Sequence, residues 1–88
     1  MYKHLYAKAL LKWGLDLQLN MAQEECAELI MAINKLRRSK YRRKSFVAEE
    51  IADVRIMINQ IVMGLKIEKQ VENFTLTKHK RLERRLRK

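Results

Sequence analysis

Residues 22–30, Ala22-Gln23-Glu24-Glu25-Cys26-Ala27-Glu28-Leu29-Ile30, set apolar side chains at helical spacing and place three carboxylates among them. Continued through Ile33 and Leu36, the stripe Ala22, Cys26, Leu29, Ile30, Ile33 and Leu36 has the 3.6-residue period of an amphipathic helix, expected over about Leu15 to Arg37. One apolar face needs another to pack on. Twenty-five residues later Glu49-Glu50-Ile51-Ala52-Asp53 repeats the pattern of Glu24-Glu25-Cys26-Ala27-Glu28. Its stripe, Val47, Ile51, Val54, Ile58, Ile61 and Leu65, predicts a further helix with Ser45 as N-cap and Gly64 near its end. Two such units are too few for a solenoid, so they read as two helices presenting similar faces to each other.

Working outward, Tyr2 to Trp13 forms a short amphipathic helix (Leu5, Ala9, Leu10, Trp13) that Gly14 ends. Ile67 to Leu86 forms a last one (Val71, Phe74, Leu82, Leu86) that becomes more basic along its length. The expected fold is all-α, a four-helix bundle-like subunit in a single domain over residues 1–88. Composition agrees: 2 glycines, no proline, 48% hydrophobic and 34% charged residues exclude a β-sandwich, a collagen-like chain and a disordered tail. A chain of this size buries only about 60% of its unfolded surface. Ile56 and Met63 also lie off the stripe, so a homodimer or larger homo-oligomer is expected. Cys26, on the stripe, is read as a small core residue, and Trp13 and the 5 methionines as fillers of core or interface gaps. A single cysteine cannot form an internal disulfide, and there is neither a long uncharged apolar run nor the pattern of a signal peptide. No membrane partner and a reducing, cytoplasmic setting are the expectation.

Twenty Lys+Arg against 10 Asp+Glu give a net charge of +10, which points to a polyanionic partner: nucleic acid, nucleotide or an anionic surface. Against that background, six of the acids fall in the two five-residue windows. At about 100° per residue Glu25 and Glu28 share a face, as do Glu50 and Asp53, and both pairs border the apolar stripes. None of the six has a Lys or Arg three or four positions away; instead Glu24 faces Glu28 and Glu49 faces Asp53. Two readings follow. These are solvated helix acids, with Glu49 and Glu50 helped by the helix dipole, or they converge on a hard divalent cation. Oxygen ligands suit Mg²⁺ or Mn²⁺, and magnesium commonly completes its shell with water and substrate phosphates.

Glu24-Glu25-x-x-Glu28, then Glu49-Glu50-x-x-Asp53, resembles the signature of the MazG-like, all-α nucleoside triphosphate pyrophosphohydrolases. The flanks Lys12-Trp13-Gly14, Leu29-Ile30, Ala52-Asp53-Val54 and Ile56-Met57-Ile58 look like those of small members, so the likeness runs from about residue 12 to the C-terminus. It implies a helical bundle that commonly dimerises, magnesium held by Glu25, Glu28, Glu50 and Asp53, and hydrolysis between the α and β phosphates. Glu24 and Glu49 match the doubled acids and would sit behind the ligands or at helix ends. Glu25 or Glu28 would double as general base.

Seven basic residues and no acid lie between Lys35 and Lys44, in the connection of the two carboxylate helices. Lys35 and Arg38 are candidates for holding the triphosphate, although many of this run would be solvated in any case. In the C-terminal run from Lys78 to Lys88, Lys78, Lys80 and Arg81 are further candidates, and a solvated helix end fits them equally well. His4 and His79 lie too far apart to form a local zinc-ligand pair, and the Glu-x-x-His pairs of di-iron bundles are missing. Gly14 and Gly64, the only glycines, cannot build a Walker-type phosphate loop. The function expected is a Mg-dependent pyrophosphohydrolase giving nucleoside monophosphate and pyrophosphate. The alternative is a basic helical protein that binds nucleic acid or regulates without catalysis.

Overall fold

The computed structural model describes residues 2–87. They form α1 (Lys3–Trp13), α2 (Leu15–Arg38), α3 (Lys44–Leu65) and α4 (Glu68–Leu86), with no strand among the described residues. One expected signal acts otherwise. Ser45 lies inside α3, whose N-cap, Arg43, makes no side-chain cap hydrogen bond. Gly64 lies one residue from the end of α3, as expected, and Lys66 caps the helix in the left-handed conformation at φ 57°.

Helices α2 and α3 pair as an antiparallel hairpin, the most extensive packing in the chain. The residues in its seam are the buried and half-buried positions Leu15, Gln18, Ala22, Glu25, Leu29, Ala32 and Leu36 on α2. On α3 the run is Val47, Glu50, Val54, Met57, Ile61 and Gly64, flanked by half-buried Asp53 and buried Gln60. Both sets alternate steps of three and four, the seam spacing of a coiled coil. The stripes expected from hydrophobicity are rotated off this seam, and half of their members, Cys26, Ile30, Ile33, Ile51, Ile58 and Leu65, are exposed. Cys26 is therefore not a core residue of the subunit. The displacement has a physical cause: Gln18, Glu25, Glu50 and Gly64 occupy seam positions that a search for apolar residues passes over.

Gln18 Nε2 donates to Gln60 Oε1 at 2.6 Å, a buried bond across the hairpin. The register that sets Gln18 opposite Gln60 also sets Glu25 level with Asp53 and Glu28 level with Glu50. A buried amide left without its partner costs about 1–3 kcal/mol, whereas removing both polar groups together is close to neutral. Gln60→Ala is thus expected to lower stability by about that amount, and Gln18→Leu with Gln60→Leu to restore most of it, as measured by urea unfolding. Equal losses in the single and double variants would show that the pair contributes nothing.

Gly14 joins α1 to α2 at φ 85°, ψ 156°, a conformation open essentially to glycine. The chain then turns sharply enough for Leu10 of α1 and Leu15 of α2 to close over Gly64, where an added Cβ would come within 2.9 Å of Leu15 Cδ1. Gly64 is thus a point of close approach. Helix α4 packs on α3 alone, and each of its residues is exposed. The radius of gyration is 15.9 Å, against about 12 Å for a compact chain of this length. The accessible surface is 7710 Å², against about 5,500 Å² for a compact monomer of this mass.

Candidate metal centre

Because Glu25 and Glu50 stand in the seam, packing aims their carboxylates at the facing helix. Each has its Oε2 shut off from solvent with no hydrogen-bond partner. Glu28, one turn along α2 and exposed, joins them: one carboxylate oxygen from each of Glu25, Glu28 and Glu50 lies within 4.8 Å of the other two. Asp53, half-buried on α3, is not part of this trio and acts on it by its charge.

Burial lifts the Glu25 carboxyl above the usual carboxylate range, and the charges of Glu28, Asp53 and Glu50 lift it further. Glu50 is raised in the same way, by burial first and then by Glu28 and Asp53. The Glu28 carboxylate, a hydrogen-bond partner to the neutral form of either, adds to both shifts. Orphaned, mutually repelling oxygens are costly without a proton or a cation between them. An all-oxygen donor set fits Mg²⁺ or Mn²⁺ rather than zinc or copper.

The sign of the pH response follows. A carboxyl whose folded pKa lies above its unfolded value binds more protons when folded, so stability falls as pH rises through the window between the two. In the presence of a chelator, the melting temperature is therefore expected to climb as pH is lowered from 7 towards the ordinary glutamate value, 4.5. A flat or falling melting temperature over that range would contradict the packing of Glu25 and Glu50.

Beyond the carboxylates the hairpin turns through Lys40 and Tyr41, both at positive φ (55° and 69°). Ser39 holds this turn: its Oγ donates to the Leu36 carbonyl at 3.0 Å and accepts from the Arg43 backbone N–H at 3.3 Å, while Arg42 Nε donates to its carbonyl at 3.1 Å. Arg43 is thereby returned to the mouth of the hairpin, with its guanidinium 5.7 Å from the centroid of the Phe46 ring. A cleft of about 240 Å³ is lined by Glu28 and Glu50, by Lys35 and Arg43, and by the apolar Met31, Ala32 and Phe46. A second, of about 340 Å³, is lined by Lys35, Arg38, Ser39 and Arg43.

Of the five expected phosphate contacts, the structure brings Lys35 to the carboxylates and Arg38 to the adjoining cleft. Lys78, Lys80 and Arg81 lie on exposed α4, line neither cleft and have no packing contact with α2 through their helix. Lys88, the end of that basic run, is outside the described residues. Sequence does not single out Arg43 among the basic residues of the turn, nor Phe46 among the apolar residues of α3. Compared with known proteins, the chain matches no family model, no curated sequence and no solved structure.

Proposed function

We propose that this chain is a magnesium-dependent nucleoside triphosphate pyrophosphohydrolase of the MazG type. The observation that carries the reading is the trio Glu25, Glu28 and Glu50 within 4.8 Å, two of them with an orphaned oxygen, inside a chain of net charge +10. Magnesium, with manganese as substitute, supplies Lewis acidity towards phosphate oxygens and water when bound. The chain's own groups do the rest. Glu25, Glu28, Glu50 and Asp53 hold the cation, and Lys35 and Arg38 attract and align the polyphosphate. Glu28, the exposed member of the trio, accepts the proton from the attacking water. A cytoplasmic setting suits a nucleotide substrate and an exposed, reduced Cys26.

The active form is a homodimer. The surface in excess of a compact monomer, about 2,200 Å², has the size of one partner's share in a large obligate interface. Cys26, Ile30, Ile58 and neighbouring residues offer an apolar strip on the outer face of the hairpin. Lys78 and Arg81, remote from the carboxylates of their own chain, are then free to meet those of the partner. Light scattering that returned only monomer at micromolar concentration would reject the dimer.

The deciding assay is hydrolysis of canonical and modified triphosphates with and without magnesium, read as monophosphate and pyrophosphate. No magnesium-dependent release from any of them would overturn the proposal. One observation favours a second reading: α4 is exposed throughout, and from Lys78 onward it carries Lys78, Lys80, Arg81, Arg84 and Arg85, with Arg87 just beyond its end, against Glu83. Such a helix can follow a nucleic-acid backbone, and binding whose affinity falls steeply with salt would be its mark.

A further inference from the structure

Opposite charges that line one cleft normally close on each other. Here they do not: among the described residues the one ion pair is Arg87 with Glu83, so Lys35 and Arg43 face Glu28 and Glu50 without joining them. The gap suits a ligand that carries a cation on one side and negative charge on the other. At about 240 Å³ the cleft is smaller than the roughly 300–1,000 Å³ that encloses a drug-sized ligand, so it takes one end of a nucleotide. Which end is decided by the lining. A nucleobase is read by neutral donors and acceptors, and this cleft has no amide or hydroxyl side chain; it has carboxylates, cations and an apolar floor. The second cleft shares Lys35 and Arg43 and adds Arg38, so positive charge continues away from the carboxylates towards the turn.

We propose, resting on the hydrolase reading, that this cleft binds the pyrophosphate half of the triphosphate, with Arg43 and Lys35 as its ligands and Phe46 as the residue that positions Arg43. The α phosphate then lies at the carboxylates, the β and γ phosphates extend towards the α2–α3 turn, and the nucleoside points the other way. In the reaction the water oxygen bonds to the α phosphorus while the bond from that phosphorus to the bridging oxygen breaks. The electron pair leaves with the bridging oxygen on pyrophosphate, and the water proton passes to Glu28. Arg43 and Lys35 meet the charge that the leaving group gains. Ser39, through its bond to the Arg43 backbone, and the Phe46 ring hold the guanidinium in place before substrate arrives.

The test is calorimetric titration of inorganic pyrophosphate, and separately of a nucleoside monophosphate, at fixed magnesium. Wild type is compared with Arg43→Ala, Arg43→Lys, Lys35→Ala, Phe46→Leu and, as a control of equal charge change on another helix, Lys69→Ala. Arg43→Ala and Lys35→Ala are expected to weaken pyrophosphate by about 10-fold or more and to leave the monophosphate unchanged. Arg43→Lys recovers part of the loss, Phe46→Leu shows a smaller one, and Lys69→Ala shows none. The same Arg43→Ala protein should show pyrophosphate as a correspondingly weaker product inhibitor of hydrolysis. Pyrophosphate binding that Arg43→Ala weakens no more than Lys69→Ala does, or an equal loss for the monophosphate, overturns the assignment. Should wild type bind pyrophosphate through Arg43 and Lys35 yet hydrolyse no triphosphate, the anion site stands and the hydrolase reading fails. Hydrolysis with unaltered inhibition in Arg43→Ala has the reverse meaning.

Discussion

Magnesium is expected to raise the melting temperature of the metal-free protein, and the rise is expected to disappear in Glu25→Gln and in Asp53→Asn. A ligand that binds only the folded state stabilises it by mass action, about 2.7 kcal/mol at a hundred times its dissociation constant. In a domain of this size each kcal/mol is worth roughly 4–8 °C. Without magnesium the Glu25→Gln protein is expected to melt above wild type, because an amide carries no charge into the seam and adds nothing to the repulsion from Glu28, Asp53 and Glu50. Scanning calorimetry with chelator and with millimolar magnesium checks both statements on the same samples. An unchanged magnesium response in both variants would remove the carboxylates as ligands.

The second large effect is on chemistry. Glu28→Gln is expected to lower turnover about a thousandfold, since loss of an anionic metal contact together with the proton acceptor withdraws several kcal/mol of transition-state stabilisation. Its helical content should be unchanged, because Glu28 is exposed on α2 and lies outside the packed seam. In wild type, hydrolysis in oxygen-18 water should place the label in the monophosphate. Label in pyrophosphate alone, or diphosphate and orthophosphate as first products, would place the attack at a different phosphorus whatever the metal does.

Helix number and order were legible because proline is absent and both glycines lie near helix ends, so hydrophobic periodicity runs without interruption. The face that packs was less so. Ile30, Ile51 and Ile58 are as apolar as any core residue, and only pairing reveals that the hairpin closes along Glu25, Gln18, Gly64 and Glu50 while those isoleucines stay outside. The carboxylate pattern could be read directly, since unpaired acids in a basic chain stand out by charge alone. Arg43 and Phe46 could not be separated from their neighbours in the same way. Their value depends on two positive-φ residues and the Ser39 bonds that return the chain towards Glu50, and neither leaves a charge or periodicity signal.

The glutamine pair also divides the hairpin into exchangeable storeys. Gln18 precedes Glu25 by seven residues, and Gln60 follows Asp53 by seven, one full seam repeat on each strand of the pair. Adding a whole repeat between these levels in both helices moves the two storeys apart by about 10.5 Å along the axis and keeps both facing inward. The same change in α2 alone leaves its carboxylates opposite the wrong turn of α3. The carboxylate cluster is in this sense a portable layer, defined by the matched distance of two helices from a common crossbar rather than by the length of either.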